Sequence, residues 1–463
     1  MKSTNIDLWT STITLDQAPT YWIKKWLYYY AENLLEEITK PWEWYLNRDT
    51  WILYFWPKGN LGTSEIMLSI IEEPLLKIDN WSNIVFDNIT FENGRSDLID
   101  IVWNNNVISN SIIRNSWNSW IKIDGYNNNI TYSKILNSWD SWIVINWWSR
   151  DLPSLTNANN VIDNNEISKI GRWSWTYFPW IKINSWVWNI LKNNNIHNIP
   201  HSAILFTGNE NIIEYNNIYD TNKFSSDAGS IYIWRSWWRR GNILRHNYIH
   251  DLKTQFEWYW VHWIYLDDIV SWEEIYSNVF SNIESYWIMA GWWRDNIVDS
   301  NIFINNKWFH TDCRWVERIT NTPWDSWNFL ERINIYDYRN WIWAEKYPLL
   351  KDIPNDWDQV NDDKFDDSIY ISGIDESKKG GRWLYPEWST FTRNIWYNNS
   401  SWFNDSCDSV NALDIFKDVS DNVEKSNIKL DDKNVWEILR LNWNIWEIDW
   451  FKKIYFNNIW IQK

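Results

Sequence analysis

The chain has 463 residues, a formal net charge of −17, 19% aromatic residues, 12 glycines, 46 tryptophans and two cysteines. That charge argues against nucleic-acid or anionic-membrane binding, both of which favour basic patches. Two cysteines (Cys313 and Cys407) make no disulfide framework, and no apolar run approaches the ~18 residues of a membrane span.

The opening Met1-Lys2-Ser3-Thr4 lacks the apolar run of a secretion signal, which implies a cytoplasmic protein, a mature form or a fragment. Residues 1–78 are rich in aromatics and lack Asn-rich turns, and are read as a small antiparallel β domain. Within it, residues 41–57 read as a hairpin with its turn around Arg48–Trp51.

From about residue 80 a unit returns: an Ile/Val-rich strand, an Asn-rich turn, another strand. Aligning the turns on Asn195, Asn217, Asn247, Asn278 and Asn301 gives steps of 22 to 31 residues. A base period of about 22, with insertions of about 8, marks a repeat whose units must stack to bury a core. Apolar residues alternate with period two and are β-branched, which favours strands over helical repeats. The expected fold is therefore all-β: a right-handed parallel β-helix over 79–463. It carries a charged, Pro-containing excursion at 316–390, a resumed coil at 392–399 and closing strands around 453–456.

Tryptophan is abundant where turn chemistry calls for glycine, as in Asn-Ser-Trp-x-Ser-Trp at 115–120 and 137–142, and in Gly291-Trp292-Trp293-Arg294. Glycine reaches φ > 0 without strain and bulky residues do not. Some bacterial lineages read the codon UGA as glycine, and the pattern predicts that most of these Trp are Gly in the native protein. Trp44 and Trp56 read as genuine.

Five coils align on one strand: 203–206, 230–233, 263–266, 287–290 and 308–311. Ile204, Ile231, Ile264, Ile288 and Phe309 then face inward, as do Phe206, Ile233, Leu266, Ala290 and Thr311. Leu205, Tyr232, Tyr265, Met289 and His310 face out, with Thr207, Trp234, Asp267, Gly291 and Asp312. Neighbouring coils lie about 4.8 Å apart, so Asp227, Asp267 and Asp268 fall within the spacing at which two carboxylates flank a glycosidic bond. An aspartate at a coil corner also caps turns; the column of acids with Tyr, His and Arg, rather than any one Asp, argues for a site. The six histidines have no metal-ligand spacing.

Several stretches resemble glycoside hydrolase family 141, within the pectate-lyase-like β-helix group. They are residues 33–57, Ile199-Pro200-His201-Ser202-Ala203-Ile204, Ser226-Asp227-Ala228-Gly229-Ser230-Ile231-Tyr232, Ile264-Tyr265-Leu266-Asp267-Asp268 and Gly291-Trp292-Trp293-Arg294. The resemblance covers most of 30–315. It implies a hydrolase with Asp227 and Asp268 as the carboxylate pair and Asp267 tuning its neighbour; strand alternation alone favours Asp267 over Asp268. Tyr232 and Tyr265 would offer faces to sugar rings, and His201, Arg235, Arg294, His310 and Asp312 would bind substrate. The implied partner is a polysaccharide met by a monomer outside the cell or at its surface, with no cofactor. Two other readings stand beside it: a lyase holding Ca²⁺ on Asp267, Asp268 and Asp312, and a non-catalytic carbohydrate-binding or surface β-helix.

Overall fold

The computed structural model describes residues 3–18, 32–63, 66–139, 143–146, 155–169, 179–234, 238–253, 261–267, 270–283, 286–291, 294–306, 309–312, 333–334, 336–353, 389–399, 403–405 and 416–425. The chain divides into two compact units, Met1–Leu68 and Ser69–Lys463. No helix among the described residues is long and apolar enough to cross a membrane.

The first unit contains two antiparallel hairpins, Ser3–Asp7 with Thr12–Leu15 and Trp44–Leu46 with Leu53–Phe55. The second is the hairpin read from the sequence. Asn47 builds its turn, its side chain accepting from the Asp49 and Thr50 amides at 3.0 Å each, as an Asx turn does.

The second unit is a parallel β-helix of three 11-stranded sheets. The first sheet runs through Leu76–Asp79, Ile99–Val102, Ile121–Asp124, Ile143–Asn146, Ile181–Val187, Ile204–Asn209, Ala228–Trp234, Val261–Asp267, Tyr286–Gly291, Phe309–Asp312 and Phe403–Asp405. The second runs from Val85–Asp87 to Phe416–Asp418, and the third from Thr90–Glu92 to Val423–Lys425. Leu76–Asp79 is already paired with Ile99–Val102, so the coils begin just before residue 79. The closing strands expected around 453–456 lie outside the described residues.

One inward row of the first sheet, Ile99, Ile121, Ile143, Ile181, Ile204, Ile231, Ile264 and Ile288, is entirely buried. Each such isoleucine stabilises the coil by about 1.5–3 kcal/mol. Phe280, Phe303 and Phe391 continue the core as a stack with centroid spacings of 5.1 and 6.3 Å.

The corners rest on side-chain amides. At the corner between the second and third sheets, a chain of Asn165, Asn194, Asn216, Asn247, Asn278, Asn301 and Asn394 passes each residue's backbone N–H to the next side-chain oxygen at 2.9–3.1 Å. Successive members are 29, 22, 31, 31, 23 and 93 residues apart. The excursion thus leaves and returns without breaking the ladder. The register corrects the sequence alignment at two places: Asn195 pairs with Asn217 and Asn217 with Tyr248, so the stacked residues are Asn194 and Asn216. Asn193, Asn194 and Asn195 are chemically identical neighbours. Which one stacks is set by the left-handed turn at Asn193 (φ 53°).

This corner is invariant from Asn88 to Arg393: two residues join the strands, the first left-handed with φ of 48–58°. Every longer insertion among these coils enters at the other two corners, which flank the first sheet. A parallel ladder of Asn106, Asn128, Asn160, Asn189, Asn211 and Asn242 lines the corner between the first and second sheets and runs into Glu273, whose Oε1 accepts from Asn242 Nδ2 at 3.0 Å.

Within Asn-Ser-Trp, it is Asn115 and Asn137 that adopt φ > 0. Trp117 and Trp139 instead stack on each other at 5.2 Å. Left-handed tryptophans do occur at Trp42, Trp51, Trp188 and Trp272, and the last two share a corner row with Gly241 (φ 73°). The corner between the second and third sheets seats Tyr132, Tyr215, His246 and Arg393 in the same conformation, so φ alone does not single out glycine positions. A further row enters the first sheet. It holds Leu98, Trp120, Trp180, Ala203, Ser230 and Trp263, all buried, and the indole nitrogens of these three tryptophans have no hydrogen-bond partner.

Candidate active site

Strand pairing places Leu205, Tyr232, Tyr265, Met289 and His310 in one row, and Trp234 opposite Asp267, the register read from the sequence. Tyr232, Tyr265, Leu205 and Trp234 form a cluster on the outer face, separate from the coil interior. The two tyrosine rings lie 5.1 Å apart.

Each phenol holds an acid. Tyr232 Oη donates to Asp267 Oδ2 at 2.6 Å, and Tyr265 Oη donates to Asp227 Oδ1 at 3.1 Å. Asp267 ends the strand Val261–Asp267, so its place follows from alternation. Asp227 arrives differently. It precedes the strand Ala228–Trp234 with φ 56°, in a turn bound to the previous coil: Phe224 N donates to Pro200 O at 3.1 Å, and Ser225 Oγ to the same oxygen at 2.9 Å. Gly229 makes the approach possible, because a Cβ there would sit 2.8 Å from Tyr265 Cβ and N.

The tyrosines correct one expectation. Tyr232 and Tyr265 are only 5% and 4% exposed, so they are not open platforms for sugar rings. Packed between Leu205 and Trp234, they use their hydroxyls to fix carboxylates, the usual requirement for a buried phenol.

His201 is buried, and burial pushes its imidazole pKa down to about 4, leaving it neutral at pH 7. Its carbonyl accepts from Asn222 N at 3.0 Å, anchoring the Asp227 turn. Arg294 is buried in the corner after Tyr286–Gly291, close enough to Arg240 to oppose its charge, rather than on the tyrosine face. His310 and Asp312 lie on the strand Phe309–Asp312, opposite Met289 and Gly291. Arg235 and Asp268 lie outside the described residues.

Two features escaped the sequence reading. His262 is buried, pairs with Gly229 in register, and packs its ring 5.1 Å from Tyr265. Strict alternation turns it inward with Ile264, but the register steps from Gly229–His262 to Ile231–Ile264 without a 230–263 pair. Lys182 stands opposite Leu205, two coils before Tyr232 in the same outward row. Burial holds its ammonium pKa below the usual lysine range. Extending the alignment toward the N-terminus by one coil would have found it.

Among the described residues no three His, Cys, Asp or Glu side chains gather as a metal site. The sequence matches no protein-family model and no curated protein.

Proposed function

We propose that this chain is a glycoside hydrolase of the β-helix type, resembling family 141, that cleaves a polysaccharide with a pair of carboxylates. The reading is carried by one observation: phenols on adjacent coils hold Asp227 and Asp267 over the same patch of an outer sheet face. One acid, protonated, donates to the leaving glycosidic oxygen. The other, ionised, attacks the anomeric carbon or activates water, at a carboxyl separation of about 5–5.5 Å for retention or 6.5–9.5 Å for inversion. Insertions confined to the two edges of this sheet further support it, since loops on a rigid scaffold build binding sites. Incubation with a glycan panel tests it, with new reducing ends as the expected product.

A lyase is the second reading, favoured by Lys182, whose depressed pKa suits a general base. It would release unsaturated uronides absorbing in the ultraviolet. Calcium on Asp267, Asp268 and Asp312 fits less well, since Asp267 already accepts from Tyr232. A glycan that binds without product would favour the non-catalytic reading.

The tryptophan excess belongs to the same proposal. Trp120, Trp180 and Trp263 share an interior row with Ala203 and Ser230, and each buries an indole donor without a partner, at about 1–3 kcal/mol per group. Glycine there removes the orphan donors and, beyond Leu98, gives small residues at the described positions of the row. Peptide mass spectrometry of the protein from its native source reads these positions directly, and tryptophan at all three would end the idea.

A further inference from the structure

The excursion returns to the solenoid at one described segment, residues 336–353, which holds the helix Trp341–Lys346 and the 3₁₀ turn Pro348–Asp352. Tyr347 joins them and is buried. Its hydroxyl donates to Glu210 Oε1 at 2.7 Å and accepts from Asn209 Nδ2 at 3.3 Å, while Lys346 Nζ lies 3.4 Å from Glu210 Oε2. Burial, then the Glu210 carboxylate, push the phenol's pKa well up, so it stays a donor. Asn209 also donates to Trp238 O at 2.7 Å, and Tyr336 packs on the Trp238 ring at 4.9 Å. The Trp272 ring meets Tyr347 at 6.1 Å and carries the Arg240 guanidinium at 5.5 Å; that group reaches Asp295 at 3.3 Å. Gly241 leaves room for the arrangement, since a Cβ there would lie 2.4 Å from Glu210 Oε1.

These anchors lie in consecutive corners, at 209–210, 238–241, 272 and 295. The first lies at the end of the strand that carries Thr207, and the next two lie shortly beyond the strands that end at Trp234 and Asp267. We propose that residues 336–353 act as a brace fixing the spacing of that outward row, with Tyr347 a positioning residue for Asp267. The functional part of this inference rests on the carbohydrate-cleaving reading of the site; the mechanical part does not. Removing one hydroxyl frees the corners to shift, and misplacing a reacting group by about 1 Å costs up to ~10²-fold in rate.

The test is Tyr347→Phe in the full chain, followed by amide hydrogen exchange and by kinetics on the glycan that the panel identifies. The brace predicts faster exchange at 336–353 and also at the strand ends 207–209 and 265–267. It further predicts a roughly tenfold or greater fall in kcat with KM nearly unchanged. Glu210→Gln, which keeps an acceptor but loses the Lys346 pair, should shift both readouts in the same direction by less. It also decides the matter if Tyr347→Phe does not fold. Faster exchange confined to 336–353 with kcat unchanged would overturn the proposal. If no glycan is cleaved by the wild type, the hydrolase reading fails alone, and exchange at the strand ends still decides whether the brace exists.

Discussion

Tyr232 donates to Asp267 at 2.6 Å across one coil, and Tyr265, in Asp267's own strand, reaches back to Asp227 at 3.1 Å. The two ties cross between adjacent coils, so neither acid is positioned by its own coil alone. A hydrogen bond to a charged group contributes about 1.5–3 kcal/mol, enough to hold each carboxylate in one rotamer.

Tyr232→Phe and Tyr265→Phe therefore leave the coil intact and release one acid each. Each should lower turnover by about 10- to 100-fold, since a mobile acid or base forfeits part of the 10²–10⁴-fold that positioned proton transfer supplies. Unchanged circular dichroism with unchanged turnover would show that the phenols only fill space.

Asp227→Asn should abolish most turnover, removing either proton transfer or attack. For its partner the two lines of reasoning diverge: the family resemblance selects Asp268, whereas the hydrogen bond to Tyr232 selects Asp267. We expect Asp267→Asn to be the more damaging. Normal activity in Asp267→Asn with loss in Asp268→Asn would return the role to Asp268.

Glu273 replaces an asparagine in the corner ladder. It is fully buried, with Oε1 bonded to Asn242 and no partner on Oε2. Burial raises its pKa well above 4.5. The folded state therefore keeps a proton that the unfolded chain releases, and stability falls as pH rises above the unfolded value. Glu273→Gln supplies the missing amide donor and removes that slope. Its melting temperature should exceed wild type at pH 8, by an amount equivalent to about 1–3 kcal/mol. The gap should shrink toward pH 4; a gap that is constant with pH would rule out Glu273 as its source.

Trp263→Gly separates two accounts of the interior row. A genuine core tryptophan costs about 3–5 kcal/mol when truncated, through the cavity it leaves. A glycine position overfilled by indole gains stability instead. We expect a higher melting temperature for Trp263→Gly in a background that also carries Trp120→Gly and Trp180→Gly; a lower one would mark these indoles as native.

The strand register was legible because inward and outward residues differ in kind: Ile204, Ile231, Ile264 and Ile288 against Leu205, Tyr232, Tyr265 and Met289. The ladder was legible only to within one residue, since adjacent asparagines in 193–195 carry no mark of which is left-handed. Burial of Tyr232 and Tyr265 could not be read, because it depends on packing between coils, against Leu205 and Trp234 and, for Tyr265, against Gly229. His262 was hidden by the same break in alternation, and the brace at Tyr347 joins residues 137 apart, with no periodicity to connect them.

The fixed two-residue corner between the second and third sheets has a consequence for how such a chain can change. From Asn88 to Arg393 that corner works as a hinge pin, locking the phase of those coils, so added sequence among them emerges only along the two margins of the first sheet. Lengthening a loop there alters the walls around one face without re-registering a single ladder. The scaffold thus keeps its spine constant while the margins of the first sheet diversify, so chains built this way can differ in what surrounds that face and still share the same ladders.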